Sequence, residues 1–363
     1  MHYPVTDKQS ALNVADVVAN PQFLLTKPYT KSCERWFKEN YPGYEAFLTS
    51  SCTRALEMAA LSMDIQSGDE IIVSPFNYVG VANAFAMFGA KLVFVDIEPN
   101  TMNIHLEAAR QAITPKTKAI IAMHYGSVAC DLDGFRLLCD ENEIFLVEDA
   151  AHCIGAKHQD KPIGLWGDFS AISFDAQKNI SCGEGGVLLV KQKHHSVVEK
   201  VYENGTDKRA FDRGDIPFYS WQCIGSKFAI SEYDAAVLLP LLQRVTEITH
   251  DRREAWNKLF AAVKNHDILS TFLPKHLKDL NHNGHIFWLC AESTEVAQYW
   301  VDWFKKYDVQ ASFHYPSLDN SPFFCGDGNT TKTNSIELSG RLFRLPLTSP
   351  TETIRELLAV SNA

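Results

Sequence analysis

The sequence predicts an α/β fold: a large domain built on a mainly parallel sheet, followed by a small C-terminal α+β domain. Three observations carry this. At 363 residues the chain is too long for one small core. From about residue 46, short apolar runs alternate with stretches of helical period, the rhythm of right-handed crossovers between parallel strands. After about residue 235 that alternation gives way to a long helical stretch and then to sparser strands.

Taken in order, residues 70–75, 91–96, 117–124 and 144–149 read as buried strands. Between them, residues 53–63, 79–88, 105–113 and 132–141 read as helices. Residues 170–174 and 186–190 add two short strands around a Gly-rich loop. Residues 235–264 read as one long helix or two, 285–292 and 309–314 as strands, and 319–334, rich in Gly, Asn and Thr, as a loop. The division is therefore 1–240, with an N-terminal arm, and 241–363.

Composition narrows the function. A net charge of −10 argues against nucleic-acid or anionic-membrane partners, which want a basic surface. The N-terminal residues lack the pattern of a secretory signal, and no run of about 18 apolar residues predicts a membrane span. The nine cysteines are scattered without a CxxC pair, so neither a disulfide framework nor a zinc site is expected. A reducing cytoplasm fits these features.

Ligands of a parallel sheet sit beyond the carboxyl ends of its strands, and three motifs fall there. Ser50-Ser51-Cys52-Thr53 opens a helix and reads either as an anion site of free amides and hydroxyls or as an ordinary cap. Asp149 ends a buried strand in Glu148-Asp149-Ala150-Ala151-His152. A carboxylate there needs a partner, either a protonated ring nitrogen or a backbone donor. Lys178 lies between a strand carrying Ser173 and a glycine-rich turn; a lone loop lysine is ordinarily solvated, and its company sets this one apart. No GxGxxG follows the first strand, which argues against a nicotinamide-binding protein.

These motifs, with Gly68-Asp-Glu-Ile-Ile-Val-Ser-Pro and Phe313-His-Tyr-Pro-Ser-Leu, resemble the DegT/StrS family of sugar-nucleotide aminotransferases. The likeness runs from about residue 20 to the end, including Arg341-Leu-Phe-Arg-Leu-Pro-Leu. The stretch 96–104 and Trp221-Gln-Cys-Ile-Gly-Ser bring it nearest to members that make dTDP-4-amino-4,6-dideoxy sugars. The resemblance implies the PLP-dependent transferase fold (aspartate aminotransferase type I) and pyridoxal 5'-phosphate (PLP) as cofactor. It implies Lys178 as the residue that carries the cofactor, and Asp149 at the pyridine nitrogen. His152, where many members have Gln, reaches the phenolic oxygen. Cys52, Thr53 and Ser173 hold the phosphate, while Tyr78 and Ala151 take the two ring faces. Ser226, with a shorter side chain, stands where many members carry an Asn that reaches the neighbouring subunit's cofactor phosphate. Asp175, where relatives often carry His or Tyr, raises the amine pKa of Lys178 or repels an anionic substrate.

The chemistry suits the residues. A lysine amine deprotonates to form a Schiff base, which arginine cannot do, and once released it serves as general base and acid. The resemblance further implies a homodimer with shared sites, a dTDP-4-keto-6-deoxyglucose acceptor aminated at C4, an L-glutamate donor, and a product for O-antigen or similar lipopolysaccharide. Amination at C3 or of another nucleotide sugar is an alternative, as is a non-catalytic binding or regulatory protein of the same fold. His314 and Tyr315 are candidates to approach the sugar. Arg209 and Arg213 are candidates for its diphosphate, with a solvated loop as the default. His124 and Tyr125 read as facing the site or as core, and His194, His195, His282 and His285 as surface residues.

Overall fold

A computed structural model describes residues 4–275, 281–325, 334–347 and 351–361. Among them the strands are β1 (Tyr44–Thr49), β2 (Glu70–Val73), β3 (Lys91–Phe94), β4 (Thr117–Met123), β5 (Phe145–Asp149), β6 (Lys157–His158), β7 (Lys161–Pro162), β8 (Phe169–Ser173), β9 (Gly186–Lys191), β10 (Phe287–Cys290), β11 (Ser312–Phe313) and β12 (Leu342–Leu345). Seven of them form one sheet in the order β1-β9-β8-β5-β4-β2-β3. The five strands β8, β5, β4, β2 and β3 run parallel, and β9 and β1 close one edge antiparallel. The mainly parallel sheet is as expected.

The central strands are apolar almost throughout because helices cover both faces. Side chains alternate between those faces: Ile71, Val73 and Ile121 enter one core, and Ile72, Ile120 and Leu146 enter another. The predicted helix 132–141 is found as Leu132–Glu141, with Asp131 accepting from the Gly134 amide at its start. Strand β1 was not predicted, nor were the helices Lys8–Ala19 and Pro28–Asn40. The latter is capped from far along the chain: the Glu232 carboxylate accepts from the amides of Tyr29 (2.6 Å) and Thr30 (3.2 Å). No local pattern signals such a cap.

The 235–264 stretch resolves into two helices, Glu232–Gln243 and Val245–Lys264, parted where Arg244 leaves helical dihedrals (φ −104°, ψ 13°). The second helix serves two cores. Its Ile248 packs beneath the large sheet with Leu238 and Leu241. Its Trp256, Leu259 and Val263 pack with β10 and β12 of the small antiparallel sheet, ordered β10-β12-β11. The predicted strand 309–314 shortens to Ser312–Phe313. The predicted loop 319–334 needs correction at its ends, where a short helix (Pro322–Cys325) and the start of Asn334–Arg341 are found; residues 326–333 lie outside the described residues. Among the described residues no helix is long and apolar enough to cross a membrane.

Candidate active site

A cavity of about 700 Å³ opens at the carboxyl ends of β5 and β8 and is roofed by the small sheet. It is lined by Cys52, Thr53, Tyr78, Asp149, Ala151, His152, Ser173 and Lys178, and from the C-terminal region by His314 and Tyr315. Ten of the twelve residues expected at the site therefore converge. Arg213 does not line it, and Ser226, expected at the neighbouring subunit's cofactor, does not line the cavity of its own chain.

The floor is shaped by backbone proximity. Ser51 caps the helix Cys52–Ser62 by accepting from the Arg54 amide (3.1 Å), and Cys52 and Thr53, the first residues of that helix, line the cavity at its positive end. Glycine is required opposite it: a Cβ on Gly186 would come within 2.6 Å of the Cys52 nitrogen. A Cβ on Gly80 would meet the Tyr78 ring at 2.7 Å and the Thr53 hydroxyl at 2.9 Å.

Asp149 ends β5 and is only 4% exposed. One of its oxygens accepts from the Ala151 amide (3.2 Å). Burial pushes its pKa up, opposed by that amide and by the positive charges of Lys178 and His124. Lys178 follows β8, half-buried at the cavity wall. Desolvation pulls its amine pKa down, although Cys52, Asp149 and Asp175 oppose the shift. Asp175 does act to raise the lysine pKa, as expected of its charge, and burial outweighs it. A primary amine with a depressed pKa in one cavity with a buried carboxylate fits the donor set that PLP requires, and the helix start at Cys52 and Thr53 fits its phosphate.

His152 is buried, and desolvation, then Lys178, His314 and Arg344, drive its pKa well below the usual value, so it is neutral at pH 7. Its Nδ1 accepts from the Gly126 amide (3.3 Å), which places the proton on Nε2, facing the Tyr315 hydroxyl at 3.4 Å. Tyr315 has an unusual backbone for a non-glycine residue (φ 28°), and its ring stacks 3.7 Å from that of His314. His314 is pushed down to about 2 by desolvation and by Arg344 and Lys178.

Several expectations need correction. The guanidinium of Arg213 is engaged by Glu199 (2.5 Å) and Asp215 (2.9 Å) and does not reach the cavity of its own chain. Arg209 lies over the Phe47 and Tyr202 rings and pairs with Glu203. Ser226 sits in the exposed 218–227 stretch and uses its backbone to pair with Val201 and Asn204. His282 is buried against Trp256, and His285 lines the cavity, so neither is a surface residue. His124 is core: fully buried, with Nε2 3.1 Å from Glu148. Burial alone would raise the Glu148 pKa, yet His124 and the amides of Gly167 and Trp166 hold it low.

Sequence reasoning missed Arg344, which enters from β12 with its Nε buried and unbonded and one terminal nitrogen donating to Ser312 Oγ (3.3 Å). Arg252 also lines the cavity and donates to the carbonyls of Gly284 and His285. The Arg341–Leu347 segment was legible as a motif, but nothing in it said which arginine turns inward. Among the described residues no cluster of His, Cys, Asp and Glu is arranged to hold a metal ion.

The fold is shared with PseC of Helicobacter pylori, an aminotransferase involved in the biosynthesis of pseudoaminic acid (TM-score 0.88, 21% identity, 99% of this chain and 98% of that one). It is also shared with an aminotransferase from Psychrobacter cryohalolentis (TM-score 0.90, 22% identity, 100% and 98%). By sequence the chain is 28% identical over 355 residues to the spore coat polysaccharide biosynthesis protein SpsC of Bacillus subtilis, covering 95% of this chain and 90% of that protein. The model of the DegT/DnrJ/EryC1/StrS aminotransferase family matches residues 4–356. The chain belongs to the DegT/DnrJ/EryC1/StrS aminotransferase family, and so to the PLP-dependent sugar aminotransferases.

Proposed function

We propose that the chain transfers the amino group of L-glutamate to C4 of a dTDP-4-keto-6-deoxyhexose, giving a dTDP-4-amino-4,6-dideoxy sugar for a surface polysaccharide. The observation that carries the reading is a desolvated amine, Lys178, sharing one cavity with a buried carboxylate, Asp149, and a helix start at Cys52 and Thr53. PLP, when bound, supplies the electron sink for breaking the C–H bond beside the amino group.

The chain's own residues do the rest. Lys178 would be the attachment point and, once displaced, its Nζ would take a proton from the donor carbon in the first half-reaction and deliver one to the acceptor carbon in the second. Burial lowers the pKa of that amine and so favours its neutral form. Asp149 would hold a proton on the ring nitrogen. Cys52, Thr53 and Ser173 would bind the phosphate at the helix start, Tyr78 and Ala151 would flank the ring, and His152 would reach the ring oxygen. Arg344, with no acidic partner among the described residues, receives a carboxylate of the donor. His314 and Tyr315 contact the sugar.

Support for a sugar acceptor comes from relatives named for polysaccharide and sugar biosynthesis, and the motifs nearest the 4-amino-4,6-dideoxy branch support position C4. A cytoplasmic homodimer is part of the proposal: Phe218, Trp221 and Ile224, which are 75%, 79% and 72% exposed, need a cover, and Ser226 adjoins them. The large α/β and small α+β regions are read as two domains meeting within Val245–Lys264. The test is incubation with L-glutamate and a panel of dTDP-keto sugars, with NMR of the product. A 4-amino sugar is expected. Nitrogen at C3, or no product in any pairing, overturns the assignment. Borohydride should fix the cofactor on Lys178, and Lys178→Ala should lower turnover by about 10,000-fold or more.

A further inference from the structure

The chain enters the small sheet through residues 282–285, and this short segment grips both halves of the candidate site. Asn283 is fully buried and uses every polar group it has. Its Nδ2 donates to the carbonyls of His152 (2.7 Å) and Ile154 (2.8 Å). Its amide donates to Ser127 Oγ (2.9 Å), and its Oδ1 accepts from the His285 amide (3.0 Å). Its carbonyl accepts from Asn179 Nδ2 (3.2 Å), and Asn179 Oδ1 lies 3.0 Å from His285 Nδ1. Asn179 is the residue next to Lys178 and is itself buried.

The segment is held in turn. Gly284 has φ +68°, and a Cβ there would stand 2.7 Å from the Arg252 backbone, so the turn is pressed onto the helix Val245–Lys264. Arg252 donates to the carbonyls of Gly284 (3.2 Å) and His285 (3.0 Å) from the same helix. On the opposite side, Ser127 adopts φ 69° in the turn whose Gly126 amide donates to His152 Nδ1. A buried amide with all its donors and acceptors matched is costly to disturb and tolerates one geometry.

We propose that Asn283 is a positioning residue: it clasps the Lys178 segment, through Asn179, to the His152 turn, so that amine and imidazole keep one relative placement. This rests on Lys178 being the reacting amine. Asn283 does not line the cavity; it acts through the two segments it holds, those of Lys178 and His152. Loss of the clasp frees Lys178 to swing from its desolvated position, past the charged and titratable groups that face it, namely Cys52, Asp149, Asp175, His152, His314 and Arg344.

The test compares Asn179→Ala and Asn283→Ala with the wild type in two ways. In holoenzyme, the glutamate half-reaction is followed by stopped flow. In the full chain stripped of cofactor, acetylation of Lys178 is measured against pH by mass spectrometry, with the exposed Lys38 as internal reference. Asn179→Ala is expected to melt within a few degrees of wild type. Its Lys178 labelling midpoint should rise by about one pH unit or more, and its half-reaction should slow roughly 10- to 100-fold. An unchanged midpoint in folded Asn179→Ala overturns the clasp, whether or not Asn283→Ala folds. Full amination by Lys178→Ala would instead sink the function assigned to the lysine while leaving the labelling result intact, so the two failures are told apart.

Discussion

The phenol oxygen of Tyr125 lies 2.8 Å from Nδ1 of His314, a bond that ties the turn after β4 to the strand pair over the cavity. Tyr125 is fully buried, packed edge-on against Phe76 and Trp288, so its hydroxyl has little freedom to find another partner. The bond orients the His314 ring, which stacks on Tyr315. Tyr125→Phe keeps the packing and deletes the bond. It should cost about 1 kcal/mol in stability and raise KM for the sugar nucleotide several-fold, with a smaller change in kcat. Steady-state kinetics with varied sugar would show this, and an unchanged KM would mean the ring is held by stacking alone.

Asp149→Asn separates stability from chemistry. The wild-type carboxyl has its folded pKa raised by burial, so its charged form is a cost to the cofactor-free fold at neutral pH. That cost is absent below the unfolded value of about 3.9 and grows as pH rises through the folded pKa. The variant, stripped of cofactor, should therefore melt higher than wild type at pH 7, with the gap closing toward pH 4. Its kcat should fall about 100-fold or more. Calorimetry and turnover together test this; a lower melting point at pH 7 would contradict the burial argument.

Arg344→Gln removes the charge assigned to the donor carboxylate. A lost charge-assisted bond of this kind is worth about 1.5–3 kcal/mol, so the apparent affinity for L-glutamate should drop roughly 10- to 100-fold. The sugar half-reaction, started from the aminated cofactor form, should change far less. An equal loss in both half-reactions would place Arg344 on something the two share, such as the cofactor.

Asp168 offers a pH test remote from the cavity. It is buried and bonded to Arg136 (2.9 Å), Lys193 (2.9 Å) and the Leu146 amide (3.1 Å). Burial alone would raise its pKa, and these partners together depress it well below the usual range. A depressed acid stabilises the fold above its unfolded pKa, about 3.9, and that contribution is lost as pH falls from there through the folded value. Asp168→Asn should cost about 2–3 kcal/mol at pH 7, and the difference from wild type should shrink on acidification below pH 4. Denaturant melts at pH 7, 5 and 3.5 would show it; a gap independent of pH would point to packing alone.

The sequence by itself determined the alternation that makes the parallel sheet, because strand and helix periods are local. It also marked the residues at the strand ends, since Asp149, Ser173 and Lys178 occur within short motifs whose spacing can be read. Tertiary structure decided the rest. Glu232 caps a helix some two hundred residues away, the 235–264 stretch breaks at Arg244, and Arg344 rather than Arg341 enters the cavity. His282 and His285 looked like surface residues because burial is a property of what packs around a segment. Asn283 gave no local signal for the same reason: its partners, at 127, 152, 154 and 179, are brought together only when the small sheet closes over the large one.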